Sequence, residues 1–157
     1  MIFAAGLGTR LRPLTDNMPK ALVPVAGKTM LERVILKLKD ASFHDITINI
    51  HHFGSQIIDF LRANQNFGVD IHISDERGEL LDTGGGIKKA RPLLESNEPF
   101  LIHNADILTD LDLNAFYHHH LESDADATLL TNHRKTSRYL LMDQDNRLCG
   151  WTNISTG

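Results

Sequence analysis

The sequence predicts an α/β layered fold with a mainly parallel β-sheet. Short apolar segments of strand length alternate along the chain with amphipathic segments of helix length, the pattern of repeated strand–helix–strand units. Three candidate functional segments follow predicted strands: the loop after Ala5, the glycines that begin at Gly84, and the turn at Asp106. Because ligands bind beyond the carboxyl ends of the strands in such sheets, these segments are expected to form one site.

Composition places the chain among ordinary globular proteins and predicts one domain over residues 1–157. Hydrophobic residues make up 41% and charged residues 23% of the 157 residues. A net charge of -4 and the lack of a long Lys/Arg run argue against nucleic acid as the partner. No apolar segment is long enough for a membrane span, and no basic segment precedes the apolar N-terminus. The lone Cys149 cannot form an internal disulfide, so a cytoplasmic location is expected.

The first predicted elements are a strand, a long loop and a capped helix. The strand runs from residue 2 to residue 5 and is ended by Gly6, and a loop rich in glycine, threonine and proline continues to about Gly27. Thr29 and Glu32 have capping-box spacing, in which Thr29 caps the helix and Glu32 reaches back. Apolar residues at helical spacing then form the face of this helix that is expected to be buried: Leu31, Val34, Ile35 and Leu38.

The remaining elements repeat the same alternation. Apolar residues at positions 46, 48 and 50, and again at 69, 71 and 73, alternate as in half-buried strands. Between them, Ser55 is predicted to cap a second helix. The glycines at positions 84–86 precede a short helical segment, residues 100–103 form a compact strand, and Asp112 caps a further helix. Residues 127–131 and 139–142 are predicted as additional strands.

The loop after the first strand has the composition of a phosphate-binding segment. Gly6 and Gly8 allow backbone N–H groups to approach a phosphate, while Arg10 and Lys20 supply positive charge. Two common phosphate loops are excluded. A dinucleotide-binding fingerprint needs a third glycine where Leu11 stands, and a P-loop ending at residues 27–29 needs a glycine at position 22.

Residues 6–15 and 19–25 together resemble the signature of the sugar-1-phosphate nucleotidylyltransferases. The resemblance implies a Rossmann-like three-layer α/β/α nucleotidyltransferase fold with a mainly parallel mixed sheet. It also implies that Arg10 contacts the triphosphate and that Lys20 contacts phosphates of both substrates, which makes these two the candidate catalytic residues. The backbone of the loop would cradle the nucleotide at Ala5, Gly6, Gly8 and Thr9.

Two later segments narrow the resemblance within that family. Residues 83–87 and 104–106 are similar to segments of N-acetylmuramic acid 1-phosphate uridylyltransferases and mannose-1-phosphate guanylyltransferase-like proteins, which associates the chain with nucleotide-sugar biosynthesis for the cell wall. The three consecutive glycines are expected to let a base or sugar lie against bare backbone, with hydrogen bonds to the base nearby. The corresponding nucleotide-binding candidates are Asp82, Thr83, Gly84 and Gly85.

Asp106 is the candidate metal ligand. It follows a buried strand, and Mg²⁺ prefers one or two carboxylates together with substrate phosphates. Asn104 is the candidate sugar-phosphate contact beside Lys20. Alanine stands at position 105, where the family usually has glycine. The adjacent histidines at 118–120 point in different directions on a helix, so they are not expected to bind one zinc ion.

The predicted function is nucleotidyl transfer from a nucleoside triphosphate, UTP or GTP favoured, to a sugar 1-phosphate, giving an NDP-sugar and pyrophosphate. Two alternatives remain at this point: a nucleotide-binding regulatory module with weak catalysis, and a cytidylyltransferase that acts on an alcohol phosphate such as phosphocholine. Catalytic domains of the family are usually longer and carry a second metal-binding aspartate near their C-terminal side. The chain is therefore expected to be an N-terminal portion of such a domain, with base, sugar and oligomeric state left open.

Overall fold

The computed structural model describes residues 1–79 and 81–156 of the chain. The chain divides into two compact units, Met1–Asp124 and Ala125–Gly157, which are described separately. A single domain over residues 1–157 stays a prediction. Within the described residues, no helix combines the length and the apolar character needed to cross a membrane.

The first unit contains an all-parallel sheet with helices between its strands. The strands of the first unit, including two that lie outside this sheet, are β1 (Ile2–Phe3), β2 (Pro24–Val25), β3 (Lys28–Thr29), β4 (Asp45–Ile50), β5 (Asp70–Asp75) and β6 (His103–Asn104). Its α-helices are α1 (Met30–Asp40), α2 (Gly54–Ala63), α3 (Asp82–Leu94) and α4 (Leu113–Leu121), and short 3-10 helices lie at Thr9–Leu11, Lys20–Leu22 and Gln65–Gly68. Strands pair in the order β5-β4-β1-β6, and β2 pairs with β3 antiparallel. The predicted α/β fold with a parallel sheet is confirmed.

Strand β4 lies inside the sheet and is buried on both faces, so the prediction of a half-buried strand is wrong. Its isoleucines, Ile46, Ile48 and Ile50, share a core with the apolar faces of α1 and α2. The alternate residues Thr47 and Asn49 are also buried, and Asn49 lies against Gly86 of α3. Helices on both faces of a parallel sheet remove the solvent-facing side that the alternation suggested.

Two of the three predicted helix caps are present. The Thr29 hydroxyl accepts a hydrogen bond from the Glu32 amide at 3.1 Å, while the Glu32 carboxylate lies 3.5 Å from Lys28 Nζ rather than reaching back to Thr29. The Asp112 carboxylate accepts from the Ala115 amide at 3.0 Å. The cap predicted at Ser55 is wrong, because the residue that precedes α2 is Phe53, in a left-handed conformation with φ 54°.

Several predicted boundaries differ from the structure. Ser55 lies within the first turn of α2, and its hydroxyl accepts from the Arg77 guanidinium at 3.2 Å. The glycines at 84–86 lie inside α3 rather than before it. The first strand ends at Phe3, two residues earlier than predicted, and the strand predicted at 100–103 is present only as β6.

The second unit contains a two-stranded antiparallel sheet formed by β7 (Arg138–Met142) and β8 (Leu148–Asn153). The strand predicted at 139–142 is therefore confirmed. Residues 127–131, also predicted as a strand, have no regular secondary structure. The sheet has an irregular register between Leu141 and Met142.

His103 in β6 gives the folded chain a defined response to acid. Burial lowers the pKa of His103 below its ordinary value of 6.5, and the positive charge of Lys37 contributes in the same direction. Because the folded state binds this proton less readily than the unfolded chain, the free energy of unfolding is expected to fall as the pH drops below about 6.5. Above that pH the contribution of His103 to the free energy of unfolding is constant.

Urea unfolding of the wild type and of His103→Phe, each at pH 7.5 and at pH 5.5, measures this effect. The variant keeps a ring at this position but cannot titrate, so it is expected to lose less stability between the two pH values than the wild type. Equal losses in both proteins would contradict the assignment to His103.

Candidate active site

A cleft of about 390 Å³ opens at the carboxyl end of the parallel sheet in the first unit. The residues that follow β1, β5 and β6 line it, together with the first turn of α3. Of the residues predicted for the site, all except Gly84 and Gly85 are in this lining: Ala5, Gly6, Gly8, Thr9, Arg10, Lys20, Asp82, Thr83, Asn104 and Asp106. The structure thus brings three distant segments of the sequence to one place, as expected for the ends of parallel strands.

The glycine loop is held in a compact form by Thr15. The buried Thr15 hydroxyl donates to the carbonyl of Gly8 at 2.8 Å, and Gly8 has a φ of +68°. A methyl group added at Gly8 would lie 3.0 Å from Thr15 Cγ2, so both conformation and space require glycine there. The exposed Arg10 side chain follows this turn and lines the cleft, whereas Arg12 lies 3.5 Å from the Asp16 carboxylate.

Lys20 and Asp106 form an ion pair across the cleft. The Lys20 ammonium donates to Asp106 Oδ2, and both side chains are partly exposed. Lys20 begins a 3-10 helix, and Asp106 follows β6 in the sheet. The candidate phosphate-binding cation and the candidate metal ligand therefore neutralise each other when no substrate charge is present.

One carboxylate of the cleft, that of Asp106, suits a divalent cation whose other ligands come from substrate and water. Within residues 1–79 and 81–156, no group of three or more His, Cys, Asp or Glu side chains is arranged to hold a metal ion. Asp106 is a partly exposed carboxylate at the cleft wall, and Mg²⁺ is commonly bound by one or two carboxylates plus substrate phosphates and water. The donor set is thus suited to Mg²⁺ entering with a nucleotide.

Sequence reasoning missed two residues of the cleft that have polar side chains, Asn49 and Glu76. The Asn49 amide accepts from the Ala4 N–H at 2.7 Å and donates to Glu76 Oε1 at 2.9 Å. Glu76 is fully buried, and its second oxygen, Oε2, has no hydrogen-bond partner among the described residues. A half-buried strand over positions 46–50 would leave Asn49 facing solvent, so the alternation gives no sign of its position in the cleft.

The three glycines of α3 differ in their surroundings. A methyl group at Gly84 would have no neighbour within 4 Å, whereas one at Gly85 would lie 2.9 Å from the Leu81 side chain. At Gly86 the methyl group would lie 2.9 Å from Glu76 Oε1 and 3.1 Å from Asn49 Nδ2. Gly86 therefore permits close packing of α3 on the sheet, and contact of Gly84 or Gly85 with a nucleotide stays a prediction.

Comparisons with known proteins agree with this arrangement. Residues 1–149 match the sequence profile of the family described as nucleotidyl transferase. The chain is 47% identical over 117 residues to the N-acetylmuramate alpha-1-phosphate uridylyltransferase of Neisseria meningitidis serogroup B, covering 74% of this chain and 50% of that protein. It is 38% identical over 125 residues to a mannose-1-phosphate guanyltransferase of Gibberella zeae, covering 76% of this chain and 34% of that protein.

A solved structure supports the same fold. HddC from Yersinia pseudotuberculosis, in complex with GMP-PN, aligns with a TM-score of 0.77 and 27% sequence identity, covering 97% of this chain and 67% of that one. The chain spans about half the length of the curated relative from Neisseria meningitidis.

Proposed function

Because the chain belongs to the nucleotidyl transferase family, we propose that it transfers a nucleotidyl group from a nucleoside triphosphate to a sugar 1-phosphate, releasing pyrophosphate. The observation that carries the proposal is the single cleft that holds the glycine loop, Arg10, Lys20 and Asp106. Arg10 and Lys20 supply positive charge around a space for phosphates, and the carboxylate of Asp106 lies beside Lys20. The cytoplasm is the proposed location.

The reaction would proceed by in-line attack of a sugar 1-phosphate oxygen on the α-phosphorus, with pyrophosphate as the leaving group. The attacking oxygen is already anionic near neutral pH, so no general base is needed. The obstacle is repulsion between two polyanions, and catalysis therefore consists of charge neutralisation and alignment. Arg10 would bind the triphosphate, Lys20 would contact phosphates of both substrates, and Asn104 would orient the sugar phosphate.

Magnesium is the proposed cofactor, and Asp106 would hold it. When bound, it would neutralise phosphate charge in the cleft. Lys20 would then exchange its contact with Asp106 for contacts with phosphate oxygens, since a lysine ammonium is a mobile point charge on a flexible stem. The ion pair of the free protein would thus keep Lys20 close to its place of action.

UTP or GTP is the proposed nucleotide, because the chain is similar to an N-acetylmuramate alpha-1-phosphate uridylyltransferase and to a mannose-1-phosphate guanyltransferase. Asp82 and Thr83, at the start of α3, would add contacts to the base or ribose.

Pyrophosphate release tests the proposal directly. The chain would be incubated with Mg²⁺, each of UTP, GTP, CTP, dTTP and ATP, and a panel of sugar 1-phosphates that includes N-acetylmuramic acid 1-phosphate and mannose 1-phosphate. Release that requires one nucleotide and one sugar would establish the activity and identify both substrates. Phosphocholine is included as a further acceptor, and release with CTP and phosphocholine alone would favour a cytidylyltransferase. Nucleotide binding without release, here and in a C-terminally extended chain, would favour a regulatory module.

Arg10→Ala is expected to lower turnover by about tenfold or more while the fold stays intact. The side chain is exposed at the cleft, so its loss removes positive charge near the triphosphate without opening the core. Circular dichroism reports whether the fold is intact, and initial-rate measurements report the turnover, so the two together separate a loss of catalysis from a loss of structure. Arg62→Ala is the matched control, because Arg62 is an exposed arginine of α2 that lies 3.9 Å from Asp59. Near-normal turnover in Arg10→Ala would refute the assigned role.

A further inference from the structure

Asn49 stands where the pairing between β1 and β4 ends. The two strands are parallel, with Phe3 opposite Asn49. At the next residue, the N–H of Ala4 donates to the Asn49 side chain at 2.7 Å. Both residues are buried, and Ala4 leads directly into the glycine loop. A side-chain bond therefore fixes the point at which the chain leaves the sheet and enters the loop.

The second group of the same amide is also fixed. Asn49 Nδ2 donates to Glu76 Oε1 at 2.9 Å. Because the Ala4 N–H can only donate, the side-chain oxygen of Asn49 must face it, and this orientation leaves the Asn49 amide nitrogen to donate to Glu76. Gly86 of α3 closes the space above them, since even a methyl group there would lie within 3.1 Å of both side chains. Asn49 thus connects the start of the loop to the Glu76 carboxylate.

Glu76 is itself held in place through its backbone. Its N–H donates to the carbonyl of Ile50 at 2.8 Å, and its carbonyl lies 2.6 Å from His51 Nδ1. The two neighbours of Glu76 in the chain are also joined, because the Asp75 carboxylate accepts hydrogen bonds from both the backbone N–H and the guanidinium of Arg77. Glu76 is therefore a fixed anchor, and the Asn49 amide transmits its position to Ala4.

We propose that Asn49 is a positioning residue that sets the path of the phosphate-binding loop relative to the Glu76 carboxylate. The proposal rests on the proposed function, since it assigns the loop to phosphates. Asn49 acts through Ala4 and Glu76 rather than on the reacting atoms. Loss of this link would leave the sheet in place but release the first residue of the loop.

Binding of inorganic pyrophosphate tests the link without requiring catalysis. Asn49→Leu keeps the branched shape and the number of non-hydrogen atoms but removes both hydrogen bonds, so its dissociation constant for pyrophosphate with Mg²⁺, measured by calorimetry, is expected to rise by about tenfold or more. Asn49→Asp keeps an acceptor for the Ala4 N–H but replaces the donor to Glu76 with a second carboxylate, so its dissociation constant is also expected to rise. Unchanged binding in a folded Asn49→Leu variant would overturn the proposal.

Thr47→Val is the matched control. Thr47 lies two residues earlier in β4, is buried, and has a hydroxyl with no hydrogen-bond partner among the described residues. Valine has nearly the same shape, so this variant changes a buried polar group on the same strand without touching the loop. Its pyrophosphate binding is expected to equal that of the wild type. A loss equal to that of Asn49→Leu would mean that any disturbance of β4 weakens binding, which would also overturn the proposal.

Hydrogen exchange of single amides, followed by NMR, provides a second measurement. In the wild type, the Ala4 amide is expected to exchange slowly because it is buried and bonded to Asn49. In Asn49→Leu its exchange is expected to accelerate by about tenfold or more, while the Ala105 amide, which donates to Phe3 at 3.0 Å, stays unchanged. If Asn49→Leu does not fold, rapid exchange of Ala4 in the wild type alone overturns the proposal. A wild type that fails to bind pyrophosphate or nucleotide would refute the proposed function, and the exchange rates would still decide the role of Asn49.

Discussion

Turnover is expected to fall by about 100-fold or more when Asp106 is replaced by asparagine. The two side chains have the same shape, so the sheet and the cleft should be preserved. What is lost is the negative charge that pairs with Lys20 in the free protein and that would hold Mg²⁺ in the loaded one. The measurement is the initial rate of pyrophosphate release at increasing Mg²⁺, with the nucleotide and sugar that the substrate panel identifies.

Lys20→Met distinguishes the two roles that the ion pair allows for Asp106. If Asp106 holds the metal, Asp106→Asn should raise the Mg²⁺ concentration needed for half-maximal rate, whereas Lys20→Met should lower turnover without that change. Metal-free nucleotide binding should be at least as tight in Asp106→Asn as in the wild type, because one negative charge facing the phosphates is removed. If Asp106 only positions Lys20, both variants should lose turnover with an unchanged Mg²⁺ requirement. A rate in Asp106→Asn close to that of the wild type would refute both roles.

The features that sequence could predict are those encoded by neighbouring residues. The family resemblance at positions 6–25 is confirmed, and its signal is carried by one continuous segment of the sequence. The caps at Thr29 and Asp112 are confirmed because each bond spans only three residues. The placement of Asp106 beside the loop followed from a general property of parallel sheets, namely that the carboxyl ends of the strands share one edge.

The features that sequence reasoning missed depend on segments far apart in the chain. Asn49 and Glu76 are buried because α3 covers that face of the sheet, and alternation within one strand carries no information about a distant helix. The ion pair of Lys20 with Asp106 joins residues 86 positions apart, so neither spacing nor composition indicates it. The strand predicted at 127–131 is wrong for a related reason, since β-propensity depends on what a segment packs against.

Gly86→Ala is expected to lower the free energy of unfolding by about 2 kcal/mol, although alanine is ordinarily the better residue inside a helix by about 1 kcal/mol. The added methyl group would lie 2.9 Å from Glu76 Oε1 and 3.1 Å from Asn49 Nδ2. Both side chains are fully enclosed, so neither can move aside as the end of an exposed chain would. Displacing them also weakens a buried hydrogen bond to a carboxylate, and such bonds contribute about 1.5–3 kcal/mol. Urea unfolding monitored by circular dichroism measures the change.

Gly84→Ala is the matched comparison, because it makes the same substitution two residues earlier in α3, where a methyl group meets nothing within 4 Å. Helix propensity then acts alone, and this variant is expected to be more stable than the wild type by about 0.5–1 kcal/mol. If a base or sugar lies against the bare backbone of Gly84, the same variant should bind nucleotide more weakly while it unfolds at higher urea. Unchanged affinity would mean that the nucleotide does not contact Gly84. A Gly86→Ala variant as stable as Gly84→Ala would contradict the tight packing of α3 on Glu76 and Asn49, and with it the rigid anchor from which the path of the phosphate-binding loop is set.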